Sequence, residues 1–226
     1  MGSGPLHFPV LEGMRAAQGV AAVLSALDPG SALFVDDEAV RDGLVARGAR
    51  QVRHLLTMRH HLREVRPAPA VPRLSIRAWQ EDDAARLAPV LVAAYGPDHP
   101  DPVGGDLDAI TESLRQGANA DDPLMAMATQ VAVVGGRPVG AAIVLLSTHV
   151  ARFRGPWLMN LFRTPDPALP GVGVAMLTRA MEMLRDDGQS LLGLAVTSTN
   201  PARKVYERLG FEYDPEGWIL ELPAST

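Results

Sequence analysis

Apolar and polar positions along the chain repeat with two periods. Leu74–Ala78 alternates residue by residue, as a half-buried strand does. Leu87, Val90, Leu91 and Ala94 recur at helical spacing behind Glu81–Asp83, whose acids suit the positive end of a helix. Gly96–Gly105 is a loop rich in Pro, Asp and Gly, after which Leu107, Ile110 and Leu114 give Asp106–Gln116 one apolar face. Thr129–Val134 and Val139–Ser147 are β-rich runs flanking Gly135-Gly136, a hairpin signal. Trp157–Arg163 reads as a strand and Val172–Arg185 as a helix closed by Gly188. Leu191–Val196 is the nearly all-apolar run of a strand covered on both faces. Pro201–Leu209 is a short helix, with Asn200 placed to cap it and Gly210 to stop it. Phe211–Tyr213 and Trp218–Leu222 are final strands. The order β-α-α-β-β-β-α-β-α-β-β predicts an α/β fold, a mixed sheet flanked by helices.

Upstream, Met14–Leu27 is an Ala-rich helix, Ala32–Val35 a strand and Glu38–Ala46 a helix stopped by Gly48. Gln51–Leu56 and Met58–Leu62 read as two strands. This order of helix, strand, helix, strand, strand also closes the chain, so residues 1–65 read as a degenerate partial repeat, a smaller half-domain. Arg66–Pro72 holds three prolines in seven residues and predicts an extended spacer. The expected organisation is therefore 1–65, a linker at 66–72, and a main domain at 73–226.

Composition narrows the function. The 226 residues are 47% hydrophobic and carry a formal net charge of −5, which suits a globular chain and argues against nucleic acid as partner. With no cysteine, a disulfide, a thiol nucleophile and a thiolate metal site are excluded, and no metal is expected. No run approaches a membrane span and the start lacks a secretory pattern, so no membrane is expected and the expected location is the cytoplasm.

Two stretches carry chemistry. In the first, the strand Trp157–Arg163 leads through a Pro-rich loop to Gly171-Val172-Gly173 at the start of a helix, where free N–H groups and the helix dipole favour a phosphate. The second is Asn200-Pro201-Ala202-Arg203-Lys204-Val205-Tyr206-Glu207-Arg208-Leu209-Gly210-Phe211. Together they resemble, in order and spacing over roughly residues 72–222, the GNAT superfamily of N-acetyltransferases. The resemblance implies a sheet splayed between the family's fourth and fifth strands, here Trp157–Arg163 and Leu191–Val196, with the cosubstrate acetyl-CoA in the gap. It implies that backbone groups of Leu161, Phe162 and Arg163 pair with the pantetheine arm and acetyl carbonyl. By the same resemblance Gly171, Val172, Gly173 and Val174 cradle the pyrophosphate, Asn200 bonds the pantetheine region, and Tyr206 protonates the departing thiolate. That chemistry is consistent: an amine attacking a thioester makes an oxyanion for a backbone donor and expels a thiolate that a phenol can protonate. The implied reaction is direct acetyl transfer to a primary amine, on a small molecule or a peptide, in a ternary complex.

Three departures from the family pattern matter. Ala168 stands where the family carries Gln or Arg, and Pro170 removes an N–H from the loop, so weaker cosubstrate binding is expected. Met159 stands near the family's strand-four glutamate. A base then comes from His99, Asp98, Asp101 or His149, or the amine arrives neutral. The loop Gly96–Gly105 is expected to shape acceptor choice, and Asp98, Asp101 and Asp106 favour a cation. In the upstream segment Leu44 takes the place of Tyr206 and Glu38 that of Asn200, so it is expected to be catalytically silent. Three roles stand open for it: extending the sheet, walling the cleft, or mediating a homodimer. A second reading of the whole is a non-catalytic module that binds CoA or another ligand; retention of both Asn200 and Tyr206 speaks for the enzyme.

The remaining features read as structural. Arg47, Arg50, Arg53, Arg59 and Arg63 form a basic patch read as a solvated face, and His54, His60 and His61 a solvated strand end. Trp157 and Tyr95 are placed to reach the acceptor site.

Overall fold

Gly135 and Gly136, both at positive φ (56° and 77°), turn the chain between β5 (Gln130–Val134) and β6 (Arg137–Ser147), which pair antiparallel. That hairpin lies toward one edge of a sheet seen here in a computed structural model. The structure describes residues 6–7, 14–104, 106–118, 122–147, 153–166, 169–214 and 216–224. The other strands are β1 (Leu6–His7), β2 (Ala32–Val35), β3 (Arg50–His61), β4 (Leu74–Ala78), β7 (Gly155–Arg163), β8 (Leu191–Thr197), β9 (Glu212–Tyr213) and β10 (Gly217–Glu221). The helices are α1 (Ala16–Ala26), α2 (Glu38–Val45), α3 (Asp83–Ala94), α4 (Leu107–Ala118), α5 (Pro123–Ala128), α6 (Val172–Asp186) and α7 (Arg203–Leu209). All strands join one sheet in the order β1-β2-β10-β3-β8-β7-β6-β5-β4, with β9 pairing on β3. The predicted mixed α/β fold with helices on a mixed sheet is what forms.

Alternation along the strands assigns each helix to a face. Ala132, Ala142 and Val144 pack with Met176, Leu177, Ala180 and Met181 of α6. Their neighbours Val131, Ala141 and Ile143 pack on the other face with Leu87 and Leu91 of α3 and Ile110 and Leu114 of α4. A third core forms under α1 and α2, where Val20, Val23, Leu33 and Leu44 meet Trp218, Leu220 and Leu222 from the far end of the chain.

That third core reflects an exchange of strands. β3, from the first third of the chain, pairs antiparallel with β8 over Leu55–His61. β10, the last strand, passes to its other side and pairs with both β3 and β2. β3 is one strand of 12 residues where the sequence suggests two. It continues because its partners hand over: β10 covers Arg50–Leu55, and β9 and β8 cover the rest. α5 has no counterpart among the predicted elements. Asp122 starts it by accepting from the Leu124 N–H at 2.8 Å, with Pro123 in the first turn.

The sheet opens between β7 and β8. These parallel strands pair only at Trp157 with Gly193 and Leu158 with Leu194, then run on to Arg163 and Thr197 without pairing to each other. Gly193 makes the last contact possible, because a Cβ there would stand 2.7 Å from the Trp157 ring and 2.9 Å from Phe153. Trp157 therefore clamps the closed end of the opening. Substituting Gly193→Ala overpacks this point and is expected to cost about 1–3 kcal/mol, read as a lower urea midpoint. A chain beginning at residue 72 leaves one edge of β8 bare and strips Trp218, Leu220 and Leu222 of their apolar partners. It is expected to elute as aggregate in size-exclusion chromatography, and a soluble monomer would show that β3 is dispensable.

Candidate active site

Once β7 and β8 part, two cavities open along the gap. One, of about 300 Å³, is walled by Tyr95, Met159, Asn160, Val196 and Asn200, with Arg53 and Asp101 reaching in. The other, of about 290 Å³, is walled by Phe162, Arg163, Gly171, Gly173, Val174 and Arg208. Leu161 and Tyr206 line both, so the two cavities meet at one backbone position and one phenol.

The second cavity lies at the start of α6. Gly171 adopts φ 82° as the residue before the helix, and the first helical bond runs from the Ala175 N–H to its carbonyl. The N–H groups of Val172, Gly173 and Val174 thus belong to the set that a helix start leaves without an internal partner. A Cβ on Gly173 would meet nothing within 4 Å. Free N–H groups, open space and the positive end of a 15-residue helix together suit an anion. Arg163 donates to the Thr164 and Asp166 carbonyls and so ties the loop back to β7. Pro170 lies just before this turn; Ala168 lies outside the described residues.

Tyr206 is held on α7, its ring 5.7 Å from that of Phe211. Gly210, in the left-handed conformation, ends α7 and returns Phe211 beneath it. Burial, with the neighbouring Tyr95 adding to it, pushes the Tyr206 phenol well above its ordinary pKa. Tyr206 therefore carries its proton at neutral pH and is not a phenolate.

The first cavity is polar at its base. Tyr95 at the end of α3 donates its hydroxyl to the Leu161 carbonyl at 3.2 Å, and burial raises its pKa. N–H and C=O of one residue in an extended strand point the same way, so the Leu161 N–H also faces the gap. Asp101, from the loop between α3 and α4, crosses the gap. Its carboxylate accepts from Thr197 Oγ1 on β8 and from Asn200 Nδ2 at 2.9 Å, and pairs with the Arg53 guanidinium on β3. Arg53 Nε and Nη2 also donate to Thr197 Oγ1 at 3.2 and 3.1 Å. Burial works against the Arg53 charge and lowers its pKa. Asn200 Oδ1 accepts from the Ala202 N–H at 2.9 Å, so Asn200 is fixed from both sides.

The gap thus brings together Leu161, Phe162, Arg163, Gly171, Gly173, Val174, Asn200 and Tyr206. Of the four candidate bases, Asp101 lines the cavity. Asp98 is exposed, and His99 packs edge-on against Tyr95 and accepts the Asp101 N–H at Nδ1. His149 lies outside the described residues. Met159 lines the cavity, so no carboxylate comes from that point of β7. Tyr95 reaches the site as expected, whereas Trp157 is spent on the clamp. Arg53 and Thr197 were missed. Arg53 sits in a run of arginines whose composition reads as solvated, and only the placing of β3 beside β8 turns it into the gap. His60 likewise proves buried against Phe211. Among the described residues, no group of three or more His, Asp or Glu could hold a metal ion, and no helix is long and apolar enough to cross a membrane.

A model of the "Acetyltransferase (GNAT) family" matches residues 85–211. No curated protein matches the chain. Among solved structures, a GCN5-related N-acetyltransferase from Sphaerobacter thermophilus aligns with TM-score 0.63 at 18% identity, over 88% of this chain and 62% of its own. Another from Kribbella flavida aligns with TM-score 0.57 at 15% identity, over 86% and 68%. A GNAT-family acetyltransferase from Colwellia psychrerythraea aligns with TM-score 0.56 at 12% identity, over 86% and 65%. At these identities the likeness is one of fold, and the chain spans 62% of the length of the Sphaerobacter protein. Substituting Tyr95→Phe leaves the Leu161 carbonyl without its hydroxyl partner and is expected to lower stability by about 1 kcal/mol in urea unfolding.

Proposed function

The chain belongs to the acetyltransferase (GNAT) family, and from that membership we propose that it transfers the acetyl group of acetyl-CoA to a primary amine within a ternary complex. The observation that carries this is the meeting of the two cavities at Leu161 and Tyr206. One offers an anion the start of α6; the other offers a polar, partly buried chamber; the donor phenol stands where they join.

The residues fit the cosubstrate. The free N–H groups of 172–174 and the open face of Gly173 would hold the pyrophosphate, and the unpaired edge of β7 from Leu161 to Arg163 would receive the pantetheine arm. Asn200 would bond the same arm. When bound, acetyl-CoA supplies an activated acyl carbon and a good leaving group. The Leu161 N–H is aimed to stabilise the oxygen of the reacting carbonyl. Asp101 would accept a proton from the acceptor amine, whose nitrogen bonds to the acetyl carbon. As the carbon–sulfur bond breaks, Tyr206 gives its proton to the sulfur. The raised pKa of Tyr206 keeps that proton in place until the thiolate appears.

Residues 1–65 are read here as a catalytically silent partial repeat, 66–72 as a spacer and 73–226 as the transferase domain. Leu44, in the place corresponding to Tyr206, is wholly buried in the α1–α2 core, which supports silence. The interleaving of β10 and β3 supports a repeat whose two halves exchange their last strands. The segment's contribution to the site is Arg53.

Isothermal titration with acetyl-CoA should give micromolar binding. Tyr206→Phe should keep that affinity and lose about 100-fold or more in kcat. No binding at millimolar ligand would overturn the reading, and unchanged turnover in Tyr206→Phe would remove its acid.

A further inference from the structure

The chamber that would receive the amine carries one positive and one negative side chain, facing each other. Arg53 and Asp101 form an ion pair across the gap, with the Arg53 side chain about one third exposed and that of Asp101 less so. Neither is held only by the other. Asp101 is anchored by Thr197 and Asn200, and Arg53 by Thr197, so each keeps a fixed position when the pair opens. From this geometry we infer that the acceptor is an amino-carboxylate zwitterion, its carboxylate bound by Arg53 and its amine by Asp101. The inference rests on the proposed acetyl transfer and names its acceptor.

The argument is one of charge balance. An entering zwitterion replaces the Arg53–Asp101 pair with two pairs, Arg53 to its carboxylate and Asp101 to its ammonium, and leaves no charge uncompensated. A simple cationic amine takes Asp101 and strands Arg53, which burial already disfavours as a cation. A simple carboxylate takes Arg53 and strands Asp101. The planar guanidinium suits a carboxylate in a way an ammonium does not. Size agrees: about 300 Å³ is at the small end of ligand sites and suits a single amino acid. The reaction is then complete in its atoms. The ammonium gives one proton to Asp101 and the freed amine forms the N–C bond; as the C–S bond breaks, Tyr206 gives its proton to the sulfur and takes the second proton from the nitrogen, so the one proton left over rests on Asp101. Arg53 touches only the carboxylate and is a specificity-determining residue.

The test uses the full chain, acetyl-CoA, and each L-amino acid beside its C-terminal amide, which keeps the amine and removes the carboxylate charge. CoA release is followed with a thiol reagent, which reads CoA alone because the protein has no cysteine. At least one amino acid should exceed its amide in kcat/KM by about 100-fold or more. Arg53→Gln should raise KM for that acid by about 100-fold and lower KM for the amide, which then strands no charge, with Arg53→Lys between. Acetyl-CoA titration of each variant reports folding, since Arg53 is outside the α6 cavity. Amides used as well as acids, or Arg53→Gln affecting both alike, would overturn the inference and leave acetyl transfer standing, as would turnover of simple amines but of no amino acid. Absence of acetyl-CoA binding, or of thiol release with any amine, would overturn both.

Discussion

Two parallel strands pair for two residues and then separate, and the rest of the molecule is arranged around that separation. A sheet interior normally satisfies every backbone N–H and C=O through its neighbours, so a parting strand exposes groups that need other partners. On β7 the Leu161 carbonyl finds the Tyr95 hydroxyl. On the far side Thr197 and Asn200 find Asp101. The gap is closed at one end by the Trp157 ring lying where Gly193 has no side chain, and it is bridged at the other by a loop from between α3 and α4. Helices α6 and α7 start beside it and bring it N–H groups and a phenol.

The second constraint is what lies beside β8. A strand that parts from one neighbour depends on the other, and here that neighbour is β3, brought from the first third of the chain. Because β10 then lies between β3 and β2, neither end of the sequence can close its core alone. Trp218, Leu220 and Leu222 complete the core of α1 and α2, while β3 completes the sheet around the gap. The upstream segment is therefore coupled to the site through β3.

Element types and the order of β4 to β8 were legible because each is a local property: alternation in Leu74–Ala78, the Gly-Gly hairpin, the helical stripe of α3, the glycines before α6. Tyr206 and Asn200 were legible because their spacing to Gly210 is local too. The length of β3 was not, since Gln51–Leu56 and Met58–Leu62 read as two strands and only what pairs with them joins them into one. α5 was hidden by brevity. The role of Arg53 was hidden for a deeper reason. Its neighbours in sequence are mostly basic and polar, and its neighbours in space, Asp101 and Thr197, lie 48 and 144 residues away.

That distance bears on how specificity is built. In the proposed reading Tyr206, the α6 turn and β7 serve the thioester, and they lie within one stretch of the chain. The polar groups gathered at the first cavity come from three separate places: Arg53 from β3, Tyr95 and Asp101 from the end of α3 and the loop beyond, Thr197 and Asn200 from the end of β8 and the turn beyond. An exchange of strands that first serves to close two cores also carries a cation to the first cavity. A neutral chamber with its charges separated but paired is stable when empty and asks an incoming molecule to match both signs. Discrimination then comes less from the strength of either contact than from the cost of leaving one of two half-buried charges without a partner.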